Sequence, residues 1–370
     1  MTVVRAGPFP PPPRAFRAVN AALDPVKRRL FPLTSESVIA AARKRAKLTD
    51  FGDDHFREPL GVLIESLERD ACLHAIGQMS ARRQLVDLLS TRLRVHDLLE
   101  RRREILDAPV ERPIIILGLP RTGTTVLQRL LAHDPGLRSL PYWEAMFPLP
   151  LGDAAERPDA SAVDPRIRKA EKTLKVLHYA APLMLSMHEM EAEAPDEEIW
   201  LLAVDFATML FEASYRAPTW RDWYCAHDQT VGYRFLYSML QILQWYRPGE
   251  RWLLKSPQHL EQIPVLLSVF PDATIVQTHR DPSTVIASFC SMETYGRRMN
   301  SREIDARDIG EYWTARIERM LRASVDDRPH DDPRFTDVHF GALMADPVAT
   351  VQRIYEVAGR ELSPDATARM

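Results

Sequence analysis

Cysteine is scarce in this chain. Cys72, Cys225 and Cys290 are the three in 370 residues, widely spaced and without a CxxC pair. Neither a disulfide framework nor a zinc knuckle is expected, and a reducing, cytoplasmic compartment fits. No apolar run approaches the roughly 18 residues that a helical membrane span needs, so no membrane span is expected. Neither sign of charge is in excess: 48 Lys+Arg stand against 51 Asp+Glu, a net of -3. A broad polyanion surface, and with it nucleic-acid binding, is not indicated, although a small anion bound locally is compatible with that total. Metal motifs are missing too. His188-Glu189-Met190-Glu191-Ala192 begins like HExxH but has alanine where the second ligand must stand, so no metal is expected. A glycine-rich dinucleotide fingerprint is also absent.

What is present is core-forming material, 45% hydrophobic residues, enough for one large or two modest domains at roughly 100 to 200 residues each. The first residues, MTVVRAGPFPPPPRAF, read as a stiff extended leader lying on or near the domain. Residues 1–112 carry 20 Lys+Arg against 15 Asp+Glu and form an N-terminal helical segment packed on the core. Leu, Ile and Val recur there at spacings of three and four, which predicts helices over 35–48, 58–77 and 80–106.

The texture changes at Pro113. Ile114 to Leu117 form a short continuous apolar run, the pattern of a strand buried on both faces of a parallel sheet. Similar runs at 251–255, 273–279 and 335–340, with a weaker one at 137–140, alternate with helical patterns. Residues 113–370 therefore read as an α/β domain with a doubly wound, mostly parallel sheet of about four or five strands. A helical insert spans about 165–246.

Immediately after the first strand comes Gly118-Leu119-Pro120-Arg121-Thr122-Gly123-Thr124-Thr125, followed by a helical run. Glycines let a backbone turn tightly and aim its N–H groups at an anion, and a helix N-terminus adds partial positive charge. The ATP-binding P-loop requires Lys where Thr124 stands, which argues against a nucleotide triphosphatase. A second anion motif follows the 273–279 strand: Arg280-Asp281-Pro282, with Ser288 eight residues beyond the arginine.

Together these motifs resemble the sulfotransferases that use 3′-phosphoadenosine 5′-phosphosulfate (PAPS). The resemblance covers about 113–362, and GLPRTGTT, PYWE and LLKSPQHL are closest to bacterial small-molecule and lipid sulfotransferases. It implies a P-loop sulfotransferase fold, PAPS as donor and 3′,5′-PAP as product, with a hydroxyl or amine acceptor on a small molecule or lipid. By the same resemblance Arg121, Thr122, Gly123, Thr124 and Thr125 hold the 5′-phosphosulfate, and Arg280 with Ser288 holds the 3′-phosphate. Lys255, at the end of its strand, contacts the sulfate. Glu144, in PYWE, stands where relatives carry a catalytic glutamate, and beside Tyr142 and Trp143 its pKa would rise toward a useful range. His259 is the rival base.

Three features depart from many relatives. Val126 occupies the position after the loop threonines where a tryptophan is common, so the adenine-stacking residue is unassigned. No RKGxxG segment follows, and only eleven residues come after the helix at 348–359. Either the cofactor pocket is more open, or a segment found in relatives is missing. Residues 176–215 contain no Lys or Arg and are rich in acidic, methionine and aromatic residues, pointing to an apolar acceptor without negative charge. Two other readings are a P-loop small-metabolite kinase and a non-catalytic domain that binds PAP or PAPS.

Overall fold

The computed structural model describes residues 9–157, 159 and 162–370. Its centre is a five-stranded sheet, all parallel, in the order β2-β3-β1-β4-β5. The strands are β1 (Ile114–Gly118), β2 (Leu137–Ser139), β3 (Arg251–Lys255), β4 (Thr274–His279) and β5 (Phe335–His339). The α/β architecture expected from the sequence is therefore present.

The unbroken apolar run of β1 follows from cover on both sides. Ile115 and Leu117 join a large cluster with the N-terminal helices and the insert, while Ile114 and Ile116 face a smaller cluster. Leu254 and Ile275 share the first side, Leu253, Val276 and Val338 the second. Successive residues of a strand point to opposite faces, so each face demands its own set of apolar side chains. The second face is closed by the helices Thr124–Leu131 and Pro347–Ala358.

In the N-terminal part the expected 58–77 helix divides. A helix occupies Arg57–Arg69, and a 27-residue helix, Ala75–Arg101, starts afresh after a turn. The break is made by Asp70, whose carboxylate is held by Ser66 and Thr219, and by Cys72 in the left-handed region at φ 46°. His74 Nδ1 then caps the new helix by accepting from the Gly77 N–H at 2.9 Å. Of the proline-rich leader, residues 1–8 lie outside the described residues. From Phe9 on it packs against the body: the Phe9 and Tyr295 rings are 5.1 Å apart, and Arg298 donates to the Pro10 carbonyl at 2.7 Å.

The insert is helical over Pro165–Ala180, Met184–Met187, Ile199–Ala203, Leu210–Ser214, Pro218–Ala226 and Thr230–Tyr246. It is not helical throughout. Residues 188–198 run irregularly, pinned to the sheet side by the Pro141–Pro195 bridge and by Asp196 N–H donating to Leu140 O at 2.7 Å. Asp196 also accepts from the next N–H, that of Glu197, at 2.7 Å. Such a local side-chain bond offers the backbone an alternative to a helical turn.

Strand order decides where a ligand sits. The connection leaving β1 runs to β2 on one side of the sheet and the connection leaving its neighbour β4 runs to β5 on the other, so a crevice opens between them at the C-terminal edge. The loop after β1, Lys255 at the end of β3 and Arg280 just after β4 all meet there.

Candidate active site

The loop after β1 depends on glycine at both ends. Gly118 has φ 154° and Gly123 φ 91°; an added Cβ would lie 2.1 Å from Thr278 Oγ1 at the first and 2.9 Å from the Phe340 ring at the second. Gly123 precedes the Thr124–Leu131 helix and no side chain caps that helix, so its first N–H groups remain available to an anion. Arg121 has φ 69°, a left-handed conformation that costs a non-glycine residue of the order of 1 kcal/mol or more and persists where surroundings enforce it. Here its carbonyl accepts from Arg280 Nη1 at 2.9 Å.

The two anion motifs, 159 residues apart in sequence, are thus joined. Arg121 Nε donates to Ser288 Oγ at 3.1 Å, and its Nη1 donates to Met187 O at 2.7 Å. Arg280 lies over the Phe340 ring, 4.3 Å from its centre. Thr122 plays another part from its neighbours: its hydroxyl is buried, bonded to Leu119 O and Thr278 Oγ1 at 2.6 Å each, and locks the loop onto β4.

Arg121, Gly123, Thr124, Thr125 and Arg280 wall one end of a cavity of about 550 Å³. Val126, half exposed, lines it where relatives carry tryptophan. The rest is largely apolar, with Met184, Met190, Met209, Phe289 and Met292 among its walls.

Lys255 is buried and stands one layer behind the wall. Its Nζ lies 2.5 Å from Glu197 Oε1, and Glu197 itself lines the cavity. Next to it Asp196 also faces the cavity, and burial raises its pKa to about 6, the nearby Lys255 charge opposing that shift. Trp200 Nε1 donates to its Oδ1 at 3.3 Å, and Gln128, from the helix that the phosphate loop opens, donates to its backbone carbonyl at 2.9 Å. His188 completes this polar group, its pKa lowered by burial.

Thr122, Lys255 and Ser288 do not line the wall, and neither does either candidate base. Glu144 is fully buried between two cations: Arg138 Nη2 donates to Oε1 at 2.9 Å and Arg247 Nη2 to Oε2 at 3.0 Å. Arg138 lies in turn over the Trp252 ring. The expectation of a half-desolvated base at Glu144 is corrected on that ground, because both of its oxygens neutralise arginines away from the cavity. His259 is also fully buried, with Nε2 2.6 Å from Glu198 Oε1 and Nδ1 2.7 Å from the Tyr233 hydroxyl. Glu198 additionally accepts from the Lys255 N–H at 2.9 Å, so this chain of contacts braces the end of β3.

Reasoning from the sequence missed Asp196, Glu197 and His188. Their signal was the Pro195-Asp196-Glu197-Glu198 run inside an acidic stretch, which read as lid composition because nothing in the spacing tied it to Lys255. Among the described residues no group of three or more His, Cys, Asp or Glu side chains could hold a metal ion, and no helix is long and apolar enough to cross a membrane.

Comparison with known proteins follows the same lines. The Sulfotransferase family profile matches residues 113–364. Sulfotransferase STF1 from Mycobacterium tuberculosis H37Rv superposes with a TM-score of 0.82 and 32% identity, covering 91% of this chain and 92% of that one. Sulfotransferase STF9 from Mycobacterium avium gives 0.81 and 30%, covering 91% of this chain and 86% of that one. Omega-hydroxy-beta-dihydromenaquinone-9 sulfotransferase Stf3 of Mycobacterium bovis is 26% identical over 258 residues, 67% of this chain. The chain spans 62% of the length of that relative. With the profile matched over more than half of its length and a solved sulfotransferase aligned over nine tenths of it, this chain belongs to the sulfotransferase family.

Proposed function

We propose that this protein transfers a sulfuryl group from PAPS to a hydroxyl, or an amine, of a small apolar or lipid acceptor. The observation that carries the reading is a single cavity with the glycine loop and Arg280 at one end, an apolar chamber at the other, and in its wall the carboxylates Asp196 and Glu197, the latter backed by Lys255. The Stf3 relatives, named for a hydroxylated menaquinone, support a lipid-like acceptor. The methionines of the chamber suit one, because their flexible thioethers adapt to irregular apolar shapes.

The donor, once bound, supplies an activated sulfuryl group and a leaving phosphate. Arg121, the N–H groups at the start of the Thr124–Leu131 helix and the Thr124 and Thr125 hydroxyls hold the 5′ side; Arg280 and Ser288 hold the 3′-phosphate. Cations and aimed N–H groups stabilise the charge that develops on a leaving phosphate. Asp196 takes the acceptor proton in place of Glu144: it faces the cavity, and a base with a pKa near the working pH is the most effective. Lys255 holds Glu197 oriented beside it, and can turn toward the sulfate side. Phe340, stacked on Arg280, offers a ring to the adenine in the absence of the tryptophan replaced by Val126.

The test is to incubate the full chain with PAPS and a panel of phenols, alkanols and hydroxylated isoprenoid lipids, with and without Mg2+, and to look for acceptors heavier by one sulfuryl group. Sulfation of apolar hydroxyls is expected. Tight PAP binding with no sulfation of any acceptor would leave a binding module, and Mg2+-dependent ATP turnover would restore the kinase reading.

A further inference from the structure

The helix Pro282–Gly296 begins beside Arg280 and runs along the cavity. Phe289, Met292, Glu293 and Gly296 line that cavity, a spacing of i, i+3, i+4 and i+7 that places them on one helix face. At 1.5 Å per residue, Glu293 lies roughly 20 Å along the axis from Arg280 and about 7.5 Å beyond Ser288, the residue that Arg121 of the loop reaches. Met299, Asn300, Ala213 and Ser214 form the wall around it.

Glu293 is out of place on this face. Its neighbours along the stripe are apolar or glycine, yet it puts a carboxyl group there, 6% exposed. Oε2 has no hydrogen-bond partner, and neither has Nε of Arg297, which lies 3.6 Å away, too far for a hydrogen bond. Arg297 directs Nη2 instead to the Glu212 carbonyl, at 3.1 Å. The pair is thus buried, adjacent and unfinished. A buried carboxyl oxygen without a hydrogen bond costs free energy that a ligand oxygen reaching it would recover. Burial raises its pKa to about 8 against the pull of Arg297, so at neutral pH it can also donate.

We infer that Glu293 is a polar anchor in the wall of the acceptor chamber, selecting apolar acceptors that carry a second oxygen, a carbonyl or hydroxyl, along the chain from the group that is sulfated. Sites built to hydrogen-bond a substrate oxygen reject analogues lacking it far more strongly than apolar walls reject a misfit. The inference deepens the proposed function and rests on it, so its test needs a reading that survives if turnover is absent.

That test compares 1-alkanols with (ω−1)-keto-1-alkanols of equal chain length, from eight to fourteen carbons, on the full chain with PAPS. A preference of tenfold or more in kcat/KM for the keto alcohols is expected, appearing only above a threshold length. Glu293→Leu should erase it, bringing kcat/KM for the keto alcohols down to the value for alkanols in the same variant, and Glu293→Gln should retain part of it. The same pairs are titrated calorimetrically against the PAP-bound protein, so a preference in binding is visible even without sulfation. Equal affinity for both series in the unmodified protein, or a preference that persists in Glu293→Leu, would overturn the anchor and leave Glu293 as a structural partner of Arg297. Absence of sulfation with the binding preference intact would instead count against the proposed reaction alone.

Discussion

The two ends of the cavity are built by different means. The end proposed for the donor comes from eight consecutive residues, with Arg280 and Ser288, at the edge of a buried parallel sheet, and its proposed ligands are chiefly backbone N–H groups. The acceptor end is assembled from side chains spread over about 120 residues, from Leu177 to Asn300, on short helices and irregular segments. A site made of backbone is dictated by where glycine is obligatory. A site made of side chains is dictated by which helices pack together, and it can vary without disturbing the sheet. One chain can therefore keep a fixed donor while its acceptor changes.

The comparison breaks first at the junction between the ends. Asp196→Asn is expected to lower kcat by about 10²- to 10⁴-fold, the range for a general base, with PAP affinity unchanged within about twofold by calorimetry. In the unmodified protein kcat/KM should rise with pH through about 6, since Asp196 must be ionised to take a proton. Near-normal turnover in the variant would move the base to Glu197 or His188.

Glu144 belongs to neither end, and its variant should show that. Glu144→Ala leaves Arg138 and Arg247 without their shared carboxylate, a loss of about 3 to 5 kcal/mol for a broken buried pair, to be read by denaturant unfolding. PAP affinity of the folded fraction should stay level. A stable but inactive Glu144→Ala would reinstate it as the base.

Arg280→Ala tests the donor end alone. It removes a charged hydrogen bond to the 3′-phosphate and should weaken PAP binding by about 1.5 to 3 kcal/mol. It also releases the Arg121 carbonyl, so the 5′ side loosens with it; unchanged affinity would separate the two motifs again.

At the acceptor end the effect is read in pH dependence and not in donor affinity. Glu293 has a folded pKa of about 8 against an ordinary 4.5, so the folded state holds the proton more tightly than the unfolded one. Stability should fall as pH rises from about 4.5 to 8 and level off above, with a ceiling of about 1.4 kcal/mol per pH unit for one proton. Glu293→Gln lacks this slope; parallel unfolding curves for the two proteins across pH 5 to 8 would contradict the raised pKa.

Much of the geometry at the proposed donor end was legible in the sequence. The apolar run 114–117, the two glycines, Arg121, and the Arg280–Ser288 spacing are short-range signals, and each has a local physical cause. The strand at 251–255 is buried throughout, whereas the edge strand, expected over 335–340 and found at Phe335–His339, buries only Phe335 and Val338. Glu144 misled because its position after the loop is a matter of spacing, whereas its role is set by Arg247, 103 residues away, which no local pattern reveals. Asp196 was hidden in an acidic run that gave no sign of which carboxylates turn inward.

By itself the sequence determined the sheet, the anion cradle and the absence of a Walker lysine, because these follow from short-range constraints: alternation along strands, positive φ at glycine and N–H groups at a helix start. Only the tertiary structure decided which buried acid meets Lys255, which meets two arginines and which stands alone in an apolar wall. Those assignments depend on charges brought within a few ångströms of one another from distant parts of the chain. At such distances in a poorly hydrated interior, a neighbouring charge and the loss of water outweigh anything the residue type prefers alone.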